Sequence, residues 1–468
     1  MFINIFLVPL YNSVYTAALF YELLVTMDYH AEYRRKLTTA EKAAEWLPKF
    51  GNIGIGMAVS APPAILQAIE KRVRQGDIER LNLYYMHSAS PLYDSLLKYE
   101  YMDRIKPHPF FMNTAERELI ARGVADNKRV VFFMPSSFSQ VPQIIEDYLD
   151  LDTFILTVSP MDKGGYFSCG TNSDYSIPSA RIAKKLIVEV NACMPRAFGD
   201  CSLHLSEIDV LVENNAPLYE VPPKSISEID KEIARQIIHL IPDKATLQFG
   251  IGSVPSAICA ALSTHQDLGL HSELITPGIM QLIQSGAITN RFKNINKHKS
   301  VYTFALGDKA MYDFLNDNSS MECRPVAYVN DPYVIAKNDN VISINSFVQV
   351  DLFGQVNAES VKGRQFSAIG GQLDFIRGAQ LSKQGCSILA AHSTAAEGSV
   401  SRIIPLVSEP VTDSRVDVQY VATEYGIVNL KGKSTYHRAM ALIDIAHPKF
   451  RAELLQQAKD LMGLKGWV

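Results

Sequence analysis

The sequence predicts an α/β protein with two domains, each built around a largely parallel β-sheet. Two short apolar runs, at 129–134 (RVVFFM) and 153–159 (TFILTVS), have the length and composition of buried strands, and helical patterns flank them. Strands that alternate with helices form parallel sheets covered on both faces. A chain of 468 residues is also long for one hydrophobic core, so two domains are expected.

The first domain opens with alternating helix and strand signals. Thr39 has the side chain of a helix cap and precedes an apolar helical pattern. Residues 52–60 (NIGIGMAVS) have the pattern of a strand that passes into a loop. Pro62 and Pro63 then predict a helix start, because proline suits the first helical turn.

A polar, proline-bearing stretch ending at Lys224 is the best candidate for the boundary between the domains. Beyond it, Ser227 and Asp230 form a capping pair. Apolar residues then follow at helical spacing, at Ile229, Ile233, Ile237 and Leu240. Buried strands are predicted at 341–350 and 387–391. The predicted domains are therefore residues 27–222 and 227–468.

Residues 1–26 form a hydrophobic N-terminal extension. The first Lys or Arg of the chain is Arg34, so the positive region of a secretory signal is missing. Polar residues and Pro9 interrupt a run that is barely long enough to span a membrane. Three interpretations stay open: a true translation start at Met27, which we prefer, an N-terminal extension, and a membrane or export segment.

Composition narrows the functional class. The net charge of -4 and the pI of about 6.3 exclude the basic surface of a typical nucleic-acid-binding protein. An anionic small substrate remains compatible, because a few local cations can hold phosphates. The six cysteines have no metal-binding spacing, and free thiols are preferred over a Cys193–Cys201 disulfide. We predict a cytoplasmic protein without a membrane partner.

Three segments have features suited to chemistry. Gly250 and Gly252 lie between a predicted strand and a helix expected to start at Pro255, where backbone N–H groups favour anionic atoms. Glu273 lies among apolar residues, where a carboxylate is costly to bury unless it is paired or used. Gly371 follows another glycine and offers N–H groups to an oxyanion. Plain turns and a surface acid are the structural alternatives.

Seven segments in order along the chain resemble the acetyl-CoA hydrolase/transferase family of class I CoA-transferases. The similarity runs from about Met27 to the C-terminus and favours the shorter members, which include 4-hydroxybutyrate and butyrate–acetate CoA-transferases. The segments lie at 189–200 (EVNACMPRAFGD), 247–258 (LQFGIGSVPSAI), 268–290 (LGLHSELITPGIMQLIQSGAITN), 304–315 (FALGDKAMYDFL), 344–360 (INSFVQVDLFGQVNAES), 368–382 (AIGGQLDFIRGAQLS) and 422–434 (ATEYGIVNLKGKS).

This resemblance implies particular roles for particular residues. Glu273 matches the family nucleophile, and Gly371 matches an oxyanion-side glycine that contacts coenzyme A (CoA). The backbone near Val348 matches a further CoA contact. The CoA-binding loop of the family corresponds to Gly250, Ile251, Gly252, Ser253 and Val254. The family further implies two open α/β domains of the CoA-transferase type, and a homodimer or higher homo-oligomer.

The resemblance also implies a ping-pong reaction through a glutamyl-CoA thioester, with acyl-CoA and short-chain carboxylates as substrates. No metal or redox cofactor is expected, since CoA is itself a substrate. Two alternatives stay open, an acyl-CoA hydrolase on the same scaffold and a non-catalytic CoA-binding protein. Glu424 and Glu189 are the alternative acids, and His271 is interpreted as a structural hydrogen-bonding residue.

Overall fold

The computed structural model describes residues 28–222 and 225–462. The extension at 1–26 lies outside these residues, and its three interpretations stay predictions. Within the described ranges, no helix combines the length and the apolar character that crossing a membrane requires.

A seven-stranded sheet forms the centre of the N-terminal half, and every pairing in it is parallel, as predicted. In spatial order its strands are Leu37–Thr38, Val210–Glu213, Leu186–Val190, Thr153–Val158, Phe50–Ile55, Arg80–Tyr85 and Ile105–Pro109. The α-helices described in this half are Tyr29–Lys36, Ala40–Glu45, Pro63–Gln75, Ser90–Tyr93, Thr114–Ala125, Val141–Tyr148 and Ser176–Ile182.

Local sequence signals explain several of these elements. Thr39 caps its helix, since its hydroxyl accepts a hydrogen bond from the N–H of Lys42 at 3.3 Å. The helix Pro63–Gln75 begins with proline and ends at Gly76, whose φ of 85° is the left-handed conformation that glycine adopts readily. Its apolar side is buried against the sheet, as the predicted pattern requires.

The run at 129–134 is not a strand, so that prediction is wrong. The N–H groups of Phe132 and Met134 do donate to the carbonyls of Pro107 and Pro109, at 2.9 and 3.0 Å. A parallel ladder also needs hydrogen bonds in the opposite direction, donated by the backbone N–H groups of the edge strand to this segment. Pro107 and Pro109 have no N–H to donate. The segment therefore runs beside the edge strand without completing a ladder.

A six-stranded sheet forms the centre of the C-terminal half, and only its last pairing is antiparallel. In spatial order its strands are Gly269–Leu270, Thr246–Phe249, Val341–Asn345, Cys386–Ala390, Tyr420–Thr423 and Gly426–Asn429. The α-helices described in this half are Glu228–Ile238, Ser253–Ala261, Pro277–Gln284, Lys309–Leu315, Val326–Val329, Pro332–Ile335, Gln372–Leu381, Thr435–Asp444 and Pro448–Leu461.

Short strands and 3₁₀ turns complete the described fold. The small sheets pair Tyr166–Ser168 with Ser202–His204, Leu274–Ile275 with Phe304–Ala305, Ser300–Tyr302 with Met321–Cys323, Gln349–Asp351 with Val356–Asn357 and Ile403–Ile404, Ser360–Val361 with Arg364–Gln365, and Thr394–Ala395 with Val400–Ser401. The 3₁₀ turns are Ala58–Ser60, Tyr99–Tyr101, Phe138–Gln140, Leu205–Glu207 and Leu262–Thr264. The predicted strand at 341–350 is thus two strands in different sheets.

The two halves pack against each other through one shared hydrophobic cluster, and each half also has a cluster of its own. The shared cluster contains buried side chains from both, and Phe138 of the N-terminal half meets Phe304 of the C-terminal half edge to face at 6.2 Å. All six cysteines are free, as preferred above. Because apolar contacts hold the halves together, residues from both can contribute to one site.

Candidate active site

Three of the predicted site segments follow neighbouring strands at one edge of the six-stranded sheet. The strand Thr246–Phe249 lies between Gly269–Leu270 and Val341–Asn345, and all three run parallel. In parallel strands the carboxyl ends share an edge, which is where open α/β sheets bind ligands. Gly250, Glu273 and Val348 follow the ends of these three strands, so the fold gathers segments that are far apart in sequence.

Glu273 is held from two sides. Its Oε2 accepts a hydrogen bond from Nδ2 of Asn330 at 2.7 Å, and its carboxylate also accepts from the backbone N–H of Gly371. Gly371 is so close that a Cβ built there would lie 1.8 Å from Oε2 of Glu273. Only glycine leaves room for the carboxylate at this position. The predicted role of Gly371 as an oxyanion-side contact of CoA stays a prediction.

The surroundings of Glu273 favour its neutral form. Burial raises the pKa of this carboxyl group to about 7, and the nearby negative charge of Asp374 acts in the same direction. The hydrogen bonds from Asn330 and Gly371 oppose the shift, because they stabilise the carboxylate. Glu273 therefore changes its charge close to neutral pH, which is typical of functional sites.

The loop at 250–254 passes directly into a helix. Gly252, with a φ of 148°, is the N-cap, and the helix begins at Ser253 rather than at the predicted Pro255. Val254 thus lies in the first turn, where backbone N–H groups lack intrahelical acceptors and favour anionic atoms. Ser253 donates its hydroxyl to Asp230 at 2.9 Å, which ties the loop to the preceding helix.

The backbone of Val348 is already occupied within the protein. Its N–H donates to the carbonyl of Asn357 at 2.9 Å, and its carbonyl accepts from Nη1 of Arg402 at 3.0 Å. The predicted contact of CoA with the backbone near Val348 stays a prediction, and these two bonds already use the N–H and one of the two lone pairs of the carbonyl.

His271 is structural in this fold. Its Nε2 lies 2.8 Å from the carbonyl oxygen of Val329. Because a carbonyl only accepts hydrogen bonds, Nε2 carries the proton and is the donor. Burial lowers the pKa of His271 to about 3, so the ring is neutral. The geometry agrees with its interpretation as a hydrogen-bonding residue and gives it no access to the carboxylate as a base.

The two alternative acids have local partners. Glu189 accepts hydrogen bonds from the N–H groups of Ala64 and Ile65 at 2.9 and 3.0 Å, at the start of a helix. Glu424 accepts from the N–H of Ser393 at 2.8 Å and from its hydroxyl. Both carboxylates therefore stabilise the backbone of the segments that donate to them.

Three polar residues around Glu273 were not singled out from the sequence. They are Asn330, Asp374 and, from the N-terminal half, Ser139, which donates to Asp374 from its N–H and its hydroxyl at 3.2 and 2.9 Å. Asp374 lies in the segment 368–382 that the resemblance had marked. For Asn330 and Ser139 no local pattern pointed to the site.

Comparison with known proteins gives matches over nearly the whole chain. The family model described as "Acetyl-CoA hydrolase/transferase N-terminal domain" matches residues 22–222, and that of the "C-terminal domain" matches residues 307–458. A 4-hydroxybutyrate coenzyme A transferase from Clostridium kluyveri is 42% identical over 436 residues, which cover 92% of this chain and 99% of that protein.

Solved structures agree with this result. RipA from Yersinia pestis is 46% identical with a TM-score of 0.90, over 94% of this chain and all of that one. A 4-hydroxybutyrate CoA-transferase from Porphyromonas gingivalis is 32% identical with a TM-score of 0.76, over 93% of this chain and 100% of that one. The predicted fold class is thereby confirmed.

Proposed function

The chain belongs to the acetyl-CoA hydrolase/transferase family, and from that premise we propose that it transfers CoA from an acyl-CoA to a short-chain carboxylate, with Glu273 as the nucleophile. One observation carries the proposal. Glu273 lies in contact with Gly371 and Asn330 at the sheet edge where the loop 250–254 begins its helix. Acetyl-CoA as donor, and 4-hydroxybutyrate or butyrate as acceptor, are the substrates proposed for a cytoplasmic homo-oligomer.

The reaction balances without a cofactor. The Glu273 carboxylate attacks the thioester carbonyl, and the carbon–sulfur bond breaks to give a glutamyl–acyl anhydride and CoA thiolate. The thiolate then attacks the glutamyl carbonyl, which forms the glutamyl-CoA thioester and releases the first acid as its carboxylate. A second carboxylate attacks this thioester, and the same two steps in reverse return free Glu273 and a new acyl-CoA.

Each addition creates an oxyanion that needs hydrogen-bond donors. The N–H of Gly371 already faces Glu273, and the first-turn N–H of Val254 is the second candidate. One such preorganised donor typically lowers a barrier by about 3 kcal/mol. Contacts to the remote part of CoA supply binding energy that offsets formation of the anhydride.

Trapping the intermediate tests the proposal. We expect that incubation with acetyl-CoA alone, followed by peptide mass analysis, will find CoA joined through loss of water to the peptide containing residues 268–290. The Glu273→Gln variant is the control and should carry no adduct. An unmodified 268–290 peptide in the wild type would contradict the proposed nucleophile. Adding acetate or butyrate should discharge the adduct, whereas rapid discharge by water alone would identify a hydrolase instead.

The pH dependence of the reaction should follow the ionisation of Glu273. Because only the carboxylate attacks, and its pKa is about 7, we expect kcat/KM to fall close to tenfold per pH unit below about pH 6 and to level off above about pH 8. An exposed glutamate would give a plateau already above about pH 5.5. Initial rates with acetyl-CoA and butyrate from pH 5 to pH 9 distinguish the two profiles.

A further inference from the structure

A second carboxylate lies next to the proposed nucleophile without contacting it directly. Asp374 is in the first turn of the helix Gln372–Leu381, three residues beyond Gly371, and is 7% exposed. Both its oxygens are used: Oδ2 accepts from the N–H of Ser139 at 3.2 Å, and Oδ1 accepts from the Ser139 hydroxyl at 2.9 Å. Burying an ionisable carboxyl group lowers the stability of the fold. Such groups are typical of functional sites, so the burial of Asp374 indicates a functional role.

Asn330 connects the two acids. Its amide nitrogen donates to Glu273 at 2.7 Å and also hydrogen-bonds Asp374, so one NH₂ group serves both carboxylates. Asn330 is fully buried, and among the described residues its Oδ1 has no hydrogen-bond partner. The orientation of this amide therefore depends on its two acceptors rather than on its oxygen.

The N-terminal half also contacts the start of the turn 370–374, which contains Gly371 and ends at Asp374. The N–H of Phe138 donates to the carbonyl of Gly370 at 2.9 Å, one residue before Ser139 makes its bonds to Asp374. Two neighbouring residues of one half thus fix both ends of the turn 370–374 in the other half. Gly371, the backbone donor to Glu273, lies inside that turn.

We propose that Asp374 is a positioning residue, whose carboxylate links Ser139 of the N-terminal half to Asn330 and thereby fixes the orientation of Glu273. The inference rests on the proposed role of Glu273 as the nucleophile. The charged groups that face Asp374 are Glu273 and Arg377, and its neutral partners are Ser139 and Asn330. The negative charge of Asp374 also disfavours the free Glu273 carboxylate, and this repulsion ends when Glu273 becomes a neutral thioester.

The Asp374→Asn variant tests the proposal. It preserves size, and the Ser139 hydroxyl can turn to accept from the new amide, so the fold should persist. We expect kcat to fall by roughly 10- to 100-fold while KM for acetyl-CoA stays within about threefold. The acidic limb of the pH profile should also move somewhat to lower pH. Burial still raises the pKa of Glu273, but the added contribution from the charge of Asp374 is gone.

Two further variants separate positioning from a general effect of burial. Asp413 is a fully buried acid whose pKa is likewise raised to about 7, and it accepts a hydrogen bond at 2.6 Å from Gln372. Asp413→Asn should keep the wild-type pH profile. Ser139→Ala removes one bond to Asp374 and should lower kcat in the same direction, by a smaller factor.

Each outcome has one meaning. An Asp374→Asn enzyme with wild-type kcat and an unmoved pH profile overturns the inference. If that variant fails to fold, an unchanged kcat in Ser139→Ala overturns it instead. A wild-type enzyme without the Glu273 adduct contradicts the proposed function itself, whereas an adduct that forms at the wild-type rate in Asp374→Asn contradicts the positioning role alone.

Discussion

Replacing Glu273 with glutamine should lower kcat for CoA transfer by at least about 10³-fold, a loss typical of a removed nucleophile. Glutamine keeps the size of the side chain, and its oxygen can still accept from Asn330, but its amide does not attack a thioester. The loop 250–254 is untouched, so the affinity for CoA should stay within about threefold of the wild type. Initial rates and calorimetric titration with CoA measure the two effects separately.

The same variant should be more stable than the wild type at alkaline pH. The pKa of Glu273 is raised to about 7 in the fold, so between about pH 4.5 and pH 7 the native state binds more protons than the unfolded chain. Wild-type stability therefore falls as the pH rises through that window, by up to about 3 kcal/mol from this group. Glutamine does not titrate, so thermal melts at pH 8 should show a higher Tm for the variant.

A variant that retains most of its activity would move the assignment to another acid. Glu424 is the first alternative, although its carboxylate is already engaged by Ser393. A variant with lost activity and a lowered Tm at pH 8 would instead indicate a structural defect. Only lost activity together with retained stability and CoA binding supports a nucleophile.

Local signals predicted the elements whose stabilising contacts are close in sequence. Ser227 and Asp230 form the expected capping box, and the helix begins one residue after the cap, at Glu228. Thr153–Val158 is a fully buried strand, and its mainly apolar and β-branched residues are those expected of a strand covered on both faces. The failure at 129–134 has a nonlocal cause, since the missing donors belong to Pro107 and Pro109 in another segment.

The site residues that could be predicted were those whose residue type is unusual for its sequence neighbours. Glu273 stood out as an acid among apolar residues, and the double glycine marked Gly371. Asn330 lies 57 residues from Glu273 and Ser139 lies 235 residues from Asp374, so their contacts arise only when the chain folds. An asparagine or a serine in a turn is ordinary in sequence, and nothing in the local pattern distinguishes a site residue from a capping residue.

Gly371→Ala should reduce kcat at least about 100-fold, the loss expected when a reacting group is displaced by about 1 Å. The added Cβ would lie 1.8 Å from Oε2 of Glu273 and 2.1 Å from Nδ2 of Asn330, so both side chains must move. The φ of Gly371 is -96°, which alanine adopts without strain. The defect should therefore come from displacement of the carboxylate, because the backbone N–H itself remains.

The neighbouring glycine provides a matched control. Gly370 has a φ of 58°, where alanine costs roughly 1–2 kcal/mol, but a Cβ there would have no atom within 4 Å. Gly370→Ala should thus lower the Tm and leave kcat within about threefold of the wild type, whereas Gly371→Ala should show the larger loss of kcat. If both variants lose activity in proportion to their loss of stability, a general destabilisation of the fold explains the effect. Wild-type kcat in Gly371→Ala would mean that the contact between Gly371 and Glu273 is absent from the reacting enzyme.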